Sequence, residues 1–337
     1  MNDEVARAVQ LLLAGDVIGL PTETVYGLAA DATQPQAVRR VFAIKGRPVG
    51  HPLILHLAEQ SWLQQYCVGD LSRAQRLADA FWPGPLTLIL PKNAALVPDE
   101  VTGGLPTVAV RVPAHPLARE VIFALGRPVA APSANRFGAV SPTTRNHVVV
   151  DLGDQVPLVL EGGPCQIGIE STIVDLSRER AYLMRPGAIS AAQLSAALGE
   201  PVQKNDGLGP KAPGTLESHY APHARVLLVS AQELWSAVRS EKRSGHVGVL
   251  ALSGDVPPPE FGLEVGALNA RGLVQSERLA VYAVPGGMDD AAHELYAGLR
   301  ALDEVGCSVI ISPLPELDGI GLAVLDRLER AAAPRTA

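Results

Sequence analysis

Short apolar segments that stop at proline set the fold of the N-terminal part of the chain. Residues 17–20 run into Pro21, and residues 128–131 run into Pro132. Proline has no backbone N–H and fixes its own backbone angle, so each apolar run ends there as a strand. Between such runs, residues 35–45 space their apolar side chains as a helix does. Short strands that alternate with helices predict an α/β fold.

Residue types that suit helix ends mark where several helices begin and stop. Pro35 suits a first helical position, and Gly46 suits the residue just past the end. Ser141 followed by Pro142 predicts another helix start, with serine as the N-cap and proline at the first position. Ser190 predicts the start of a further helix that reaches residue 198.

The pattern changes twice along the chain, which predicts two domains and a linker. Residues 201–224 lack periodicity and are rich in glycine and proline, as expected of an interdomain linker. Strands predicted at 226–229, 247–252, 279–284 and 307–311 alternate with helices after it. We therefore expect domains at 1–200 and 225–337, the second being a small parallel α/β domain.

Composition excludes several classes of protein. The net charge of −7 argues against a nucleic-acid interface over the whole surface. The cysteines (Cys67, Cys165 and Cys307) are odd in number and far apart, which disfavours a disulfide scaffold and a paired-cysteine metal site. No apolar run is long enough to span a membrane, and the first residues lack a signal peptide, so we expect a cytoplasmic protein without membrane contact.

The candidate chemistry begins with two cations that flank a glycine. The sequence has no P-loop, dinucleotide-binding, zincin or nucleophile-elbow motif. Lys45 and Arg47 lie on either side of Gly46, whose backbone freedom lets both side chains turn toward one ligand. A polyphosphate suits them, because arginine can donate two parallel hydrogen bonds to phosphate oxygens and lysine supplies a point charge. The alternative is a solvated basic helix end.

Two further segments offer polar groups on one side of the chain. Alternation over residues 107–111 places Thr107 and Arg111 on one face, which is either the floor of a polar pocket or exposed to solvent. Ser133 and Asn135 project to one side after a small apolar strand, and either orient a ligand or form a turn.

The polar segments form an ordered series along the chain: residues 21–28 (PTETVYGL), 45–48 (KGRP), 51–54 (HPLI), 82–87 (WPGPLT), 111–113 (RVP), 131–135 (APSAN), 141–143 (SPT), 170–175 (ESTIVD) and 185–187 (RPG). In this order they resemble the YrdC-like family, whose members are threonylcarbamoyl-AMP synthases. Residues 213–214 and 219–222 resemble the linker of the family's longer, two-domain form, and later segments resemble its C-terminal domain.

The resemblance implies both a fold and a reaction. The implied N-terminal domain is a YrdC-like twisted, mixed open sheet with flanking helices, and the C-terminal domain is a smaller Rossmann-like parallel α/β domain. The implied enzyme condenses L-threonine, bicarbonate and ATP to threonylcarbamoyl-adenylate and pyrophosphate. A downstream tRNA threonylcarbamoyl transferase complex then modifies the adenosine beside the anticodon, and direct contact of this chain with tRNA is expected to be weak.

The resemblance also implies site residues. The group expected to act on the reacting phosphate is Lys45, Arg47, Ser133 and Asn135. The group expected to bind ATP is Arg47, His51, Thr107, Asn135, Ser141, Thr143, Arg185 and Tyr220. The group expected to bind threonine is Thr24, His56, Arg111, Ser133 and Ser171. The linker residues His219 and Tyr220 would close over the site as a lid. No direct protein ligand is expected for Mg²⁺, which ATP phosphates and water would hold.

Two segments depart from the family pattern, and two other functions stay open. Residues 136–140 and 215–218 are atypical, which places the lid contacts in doubt. One alternative is an RNA-binding module of the same fold without nucleotide turnover, which the acidic net charge weakens. The other is an enzyme that handles a different carbamoyl-adenylate. It is disfavoured because the acylphosphatase and zinc modules of the larger carbamoyltransferases are not in this sequence.

Overall fold

The computed structural model describes residues 3–214, 220–252, 257–261, 263, 272–284 and 286–334. The chain divides into two compact units. The first comprises Met1–Phe137 and Ser141–Thr215, and the second comprises Gly138–Val140 and Leu216–Ala337.

The first unit alternates helices and strands as the sequence predicts. Its α-helices are α1 (Asp3–Leu13), α2 (Pro35–Lys45), α3 (Leu63–Tyr66), α4 (Ser72–Phe81), α5 (Asp99–Thr102), α6 (Pro116–Leu125), α7 (Arg145–Leu152) and α8 (Ala191–Leu198). Its strands are β1 (Ile18–Leu20), β2 (Gly27–Asp31), β3 (Ile54–His56), β4 (Leu86–Pro91), β5 (Thr107–Arg111), β6 (Val129–Ala130), β7 (Thr172–Asp175), β8 (Tyr182–Arg185) and β9 (Gln203–Lys204). Short 3-10 turns occur at Gln60–Trp62 and Gly153–Gln155.

These strands form one mixed sheet in the order β1-β2-β6-β3-β5-β4-β7-β8-β9. The pairs β3–β5, β4–β7 and β8–β9 are parallel, and the other neighbouring pairs are antiparallel. Strands that neighbour each other here are often distant in sequence, so the sheet places distant segments of the chain side by side.

The two faces of the central strands differ in what covers them. Leu55, Leu88 and Val110 point into the main core, where Leu77 of α4 and Leu194 of α8 also lie. The alternate residues point to the opposite face, since side chains along a strand alternate. On that face a smaller apolar cluster forms from Ile54, Ile89, Ala109, Ile173, Met184 and Ala212. We call this second face the polar face, because polar side chains follow its apolar cluster along the strands.

The beginning of the predicted linker is built into the first unit. Residues of β9 pair in parallel with β8, as in the register of Gln203 opposite Tyr182. The guanidinium of Arg178 binds both carboxylate oxygens of Asp206, at 3.1 and 3.0 Å. Ala212 is buried within the apolar cluster of the polar face. Residues 203–214 therefore pack as part of this unit.

The second unit is a smaller α/β unit. Its strands are β10 (Arg225–Val229), β11 (Val247–Ala251), β12 (Leu273–Ser276), β13 (Leu279–Ala283) and β14 (Val309–Pro313). Its helices are α9 (Leu234–Glu241), α10 (Met288–Glu304) and α11 (Gly321–Ala332), with a 3-10 turn at Pro259–Phe261. The sheet order is β10-β14-β11-β13-β12, parallel except for the antiparallel edge strand β12. The sequence predicted a parallel α/β domain and did not predict the antiparallel edge strand β12.

The expected helix start at Ser141 is wrong. Helix α7 begins at Arg145, and Thr144 is its N-cap, accepting a hydrogen bond from the His147 N–H at 3.3 Å. Ser141 instead donates its hydroxyl to Glu170 at 2.7 Å. The Ser141 side chain thus bonds to Glu170, which is distant in sequence, and does not cap the helix as its local pattern predicts.

Other local patterns were confirmed, and some elements were missed. Gly46 ends α2 with φ 64, and Ser190 caps α8 through a capping box with Gln193. The apolar residues 158–160 form only an isolated bridge, between Val159 and Gly19. Helix α6 and strand β2 were not predicted. Within the described residues, no helix is both long enough and apolar enough to cross a membrane.

Gly103 lets the loop that contains His51 approach the end of α5. It has φ +63, and a Cβ placed there would lie 2.2 Å from the carbonyl oxygen of Gly50. Gly126 ends α6 with φ +68, yet a Cβ there would meet no atom within 4 Å. Both substitutions by alanine strain the backbone by about 1–2 kcal/mol, but only one of them also causes a collision.

We expect Gly103→Ala to lower the free energy of unfolding by roughly 1–3 kcal/mol more than Gly126→Ala does, because overpacking adds to the strain. Urea unfolding of both variants and the wild type measures the difference. Equal midpoints for the two variants would show that the Gly50 loop moves away at no cost.

Candidate functional site

The end of α2 places a buried ammonium beside the segment 133–135. Lys45 is 3% exposed, and its Nζ donates to the carbonyl oxygens of Ser133 and Asn135, the latter at 2.7 Å. Burial, followed by the repulsion of Arg47, holds the pKa of Lys45 well below its ordinary value. The alternative of a solvated basic helix end is therefore wrong for this side chain.

Arg47 leaves the same helix end in a different direction. Its guanidinium is buried and donates to the carbonyl oxygen of Pro52 at 3.0 Å. The guanidinium carbon lies 5.9 Å from the centre of the Phe137 ring, and the His51 ring meets that ring edge-on, also at 5.9 Å. Partial burial and Arg47 lower the pKa of His51. The predicted cation and the predicted ATP residue His51 thus share one aromatic neighbour.

The ladder of β2 and β6 continues beyond both strands and fixes the segment 133–135. Leu28 N–H donates to the Pro132 carbonyl at 2.7 Å, and Ala134 N–H donates to the Tyr26 carbonyl at 2.8 Å. Gly27 lies between these bonds, where a Cβ would come 3.1 Å from the Cβ of Ala131. The polar loop 21–27 and the segment 133–135 are therefore held side by side by backbone bonds.

The strand register brings distant polar residues together on the polar face. His56 is opposite Arg111 in the pairing of β3 with β5. Thr87 is opposite Ile173, which is itself opposite Arg185. Both His56 and Arg111 are nearly fully buried, so the solvent-exposed alternative for the 107–111 face is wrong at its Arg111 end.

Arg111 is held in a buried ion pair. Its Nη2 donates to Glu23 Oε1 at 2.7 Å, and its Nε donates to the Gly84 carbonyl at 3.2 Å. The second oxygen of Glu23 accepts from Ala114 N–H at 3.0 Å. Two partners on each side of the pair offset the cost of burying two charges. Glu23 was not predicted as a site residue, because its only signal in the sequence is a carboxylate inside the polar loop 21–27.

His56 is a neutral imidazole with an assigned orientation. Its Nδ1 lies 3.2 Å from the Ile54 carbonyl oxygen, so the proton sits on Nδ1 and Nε2 is left as an acceptor. Burial, with Arg111 as the second cause, lowers the pKa of His56 to about 3. At neutral pH this ring can accept a hydrogen bond from a hydroxyl or an amine.

Hydroxyl groups cluster around Ser171. Its Oγ is 2.8 Å from Thr87 Oγ1 and accepts from Arg185 Nη2 at 3.2 Å.

In the polar loop, Thr22 donates to the Val25 carbonyl at 2.6 Å, so Thr24 is the donor in its 2.9 Å contact with Thr22. Thr87 and Thr22 were not predicted, because single threonines carry no local signal.

Two of the remaining predicted ATP residues contact other polar side chains of the first unit. Ser141 binds Glu170, and Thr143 Oγ1 lies 3.4 Å from His147 Nδ1. Thr107 is half-buried at the far end of β5, opposite Pro91. Four residues of strand, about 13 Å, separate it from Arg111.

Of the two predicted lid residues, the structure describes one. His219 lies outside the described residues. Tyr220 is buried in the second unit with a positive φ of 62, and its ring centre is 5.6 Å from that of Tyr296. The guanidinium carbon of Arg327 lies 5.5 Å from the Tyr220 ring.

Two family descriptions match the chain in succession. Residues 10–187 match the Sua5–YciO–YrdC family, described as telomere recombination. The chain belongs to this family. Residues 189–333 match the threonylcarbamoyl-AMP synthase C-terminal domain, so the chain has the two-domain form that its motifs predicted.

Full-length relatives and a solved structure agree with this assignment. Proteins named threonylcarbamoyl-AMP synthase in Pyrococcus abyssi and Bacillus subtilis are 38% and 37% identical to this chain, over 97% and 99% of it and 94% of each relative. The crystal structure of P. abyssi Sua5 complexed with L-threonine superposes with a TM-score of 0.86 at 35% identity, covering 97% of this chain and 94% of that one. The predicted fold class is confirmed, and the protein is an enzyme of the nucleotidyl-transferring class.

The lowered pKa of His56 makes folding sensitive to acid. Between pH 6.5 and about 3 the unfolded chain binds a proton at this residue that the folded chain does not, so stability falls as the pH falls. We expect a loss of about 2 kcal/mol from this group at pH 5. Urea unfolding from pH 7 to pH 5 should therefore show a shallower pH dependence for His56→Gln than for the wild type.

The exposed His223 provides the control for that measurement. His223→Gln should keep the wild-type pH dependence of the unfolding free energy. A wild-type slope in His56→Gln would mean that the imidazole is protonated in the folded state.

Proposed function

We propose that this protein condenses L-threonine, bicarbonate and ATP to threonylcarbamoyl-AMP and pyrophosphate. The observation that supports it best is the pair of buried cations at the end of α2, Lys45 and Arg47, in the same unit as the polar face. Of the two, Lys45 contacts the segment 133–135. Cations suit the phosphates of ATP, and the face that carries His56 and Arg111 suits a small zwitterion. The relatives' shared name and the threonine complex of the P. abyssi protein point to the same substrates.

The reaction needs no protein nucleophile. The neutral amine of threonine bonds to the carbon of bicarbonate, and a water molecule leaves with one amine proton, which gives a carbamate. A carbamate oxygen then attacks the α-phosphorus of ATP, forming a new P–O bond as the bond to pyrophosphate breaks. Burial raises the pKa of each thiol (Cys67, Cys165 and Cys307) to about 12, so these groups are protonated and inert.

Catalysis in this proposal consists of positioning and of stabilising charge. Lys45 and Arg47 stabilise the negative charge that moves from the α-phosphate to pyrophosphate. Arg111 orients the threonine carboxylate, while the Nε2 of His56 and the hydroxyls of Thr24 and Ser171 accept from or donate to its polar groups. Holding the reactants in one geometry removes the entropic cost of their encounter.

Magnesium would enter with ATP. The segment with the Ser133 hydroxyl and the Asn135 amide lies next to the Lys45 ammonium, a set that fits phosphate oxygens better than a bare divalent ion. When bound, Mg²⁺ would neutralise phosphate charge, with phosphate oxygens and water as its main ligands.

The product would serve tRNA modification. Threonylcarbamoyl-AMP is a mixed anhydride, and we propose that a separate transferase passes its threonylcarbamoyl group to the adenosine beside the anticodon. Free, buried cysteines are consistent with a reducing cytoplasm as the site of both steps. The residues proposed for the lid, His219 and Tyr220, would shield the anhydride from water.

We expect pyrophosphate release from ATP to depend on L-threonine when magnesium and bicarbonate are present. Serine lacks the γ-methyl group and should be used roughly 10–200-fold less efficiently. A coupled pyrophosphate assay with each amino acid measures both effects. Threonine-independent release, or none from folded protein, would contradict the proposal and favour the RNA-binding alternative, which a salt-dependent RNA titration would then examine.

Removing either cation should abolish most turnover without unfolding the chain. We expect Lys45→Ala and Arg47→Ala each to lower kcat by about 10²–10³-fold, because their charges act on the transition state. Arg40→Ala removes a half-exposed cation from the same helix and should leave kcat unchanged. Wild-type turnover in a folded Arg47→Ala variant, shown by circular dichroism, would contradict the role assigned to Arg47.

A further inference from the structure

Phe137 lies between two residues of the proposed ATP site, in the segment 136–140 that departs from the family pattern. The guanidinium carbon of Arg47 is 5.9 Å from the centre of the Phe137 ring, within the range of a cation–π interaction. The His51 ring lies at the same distance and at 87° to the Phe137 ring, which is a favourable edge-on arrangement. One aromatic side chain therefore adjoins both a predicted cation and a predicted ATP residue.

The backbone holds Phe137 at the end of α2. Its N–H donates to the Lys45 carbonyl oxygen at 2.8 Å, and Nη1 of the preceding Arg136 donates to the Ile44 carbonyl oxygen at 2.7 Å. The last carbonyls of a helix have no partner within the helix, and here two of them take their donors from this segment. The Phe137 ring is thus tied to the helix end that continues into Arg47.

The Arg47 side chain is held by a hydrogen bond as well as by the ring. It is only 8% exposed, and its Nη2 donates to the Pro52 carbonyl oxygen at 3.0 Å. An arginine side chain loses much rotamer freedom when it is fixed in one place. The hydrogen bond and the ring together oppose that freedom, and the edge-on His51 restrains the ring in turn.

We infer that Phe137 is a positioning residue, whose ring holds the Arg47 guanidinium in the orientation in which it acts on the reacting phosphate. The inference rests on the proposed function, because it takes Arg47 as a cation that stabilises charge on the phosphates. It gives one residue of the atypical segment 136–140 a role on the ATP side of the site.

Phe137→Leu keeps an apolar side chain but removes the ring face that the guanidinium adjoins. We expect kcat to fall about three- to tenfold, the size of one cation–π contact, because Arg47 acts on the transition state. The calorimetric Kd for pyrophosphate with magnesium should rise by a similar factor, while the KM for threonine stays within about twofold. An unchanged kcat in the folded variant would overturn the inference.

Pyrophosphate has no base, so it separates positioning from direct stacking of the ring on adenine. If the Phe137 ring instead contacts the base, Phe137→Leu should raise the Kd for ATP and leave the Kd for pyrophosphate unchanged. That result would overturn the inference. Phe137→Met also lacks a ring and provides the same test if Phe137→Leu fails to fold.

Two further variants separate positioning from a general loss of structure. Phe123→Leu makes the same change at an exposed phenylalanine of α6 and should leave kcat unchanged. Phe137→Tyr keeps the ring and should retain kcat within about twofold. A loss in folded Phe137→Tyr as large as that in Phe137→Leu would contradict a role for the ring face.

A double-mutant cycle then measures whether Phe137 acts through Arg47. In Arg47→Ala protein, adding Phe137→Leu should lower the residual kcat by less than about twofold, because no guanidinium is left to position. A further three- to tenfold loss in that background would overturn the inference. Failure of the proposed function would be seen separately, as folded wild-type protein that releases no pyrophosphate in response to threonine.

Discussion

The burial of four cations in one unit is the constraint around which the site is built. Lys45, Arg47, Arg111 and Arg185 are each 8% exposed or less, and a buried charge without oxygen partners would cost several kcal/mol. Backbone carbonyls stabilise all four, and Glu23 adds a carboxylate to Arg111. These carbonyls belong to loop residues rather than to strands, so the loops must keep their conformation for the cations to stay buried.

Sequence patterns predicted those parts of the fold that depend on near neighbours. Helix α2 was predicted to the residue, because Pro35 and Gly46 act within their own turns. The capping box of α8 joins Ser190 to a residue three positions away. The segment 133–135 and the cations of α2 were also found, but only the structure showed that Lys45 reaches this segment through main-chain carbonyls rather than its side chains.

What the sequence could not show depends on pairings between distant residues. Glu23 and Arg111 are 88 positions apart, and Ser141 binds Glu170 across 29 positions. The local pattern predicts that Ser141 caps a helix, because no neighbouring residue indicates its bond to Glu170. The edge strand β12 and the strand β2 are similar cases, since a short strand is defined by the ladder beside it rather than by its own residues.

Because residues 203–214 pack on the first unit, the domain boundary indicated by the family matches differs from the boundary of the packed unit. The two family matches meet at residues 187 and 189. A catalytic fragment cut there would lose α8 and β9, the partner of Arg178 and the Pro213 carbonyl that Arg185 binds. It would also remove Ala212 from the apolar cluster that contains Ile54 and Ile173. A fragment that ends at residue 214 keeps all of these contacts. The shortest fragment that preserves the first unit is therefore set by the residues that pack on its sheet, and not by the end of the first family match.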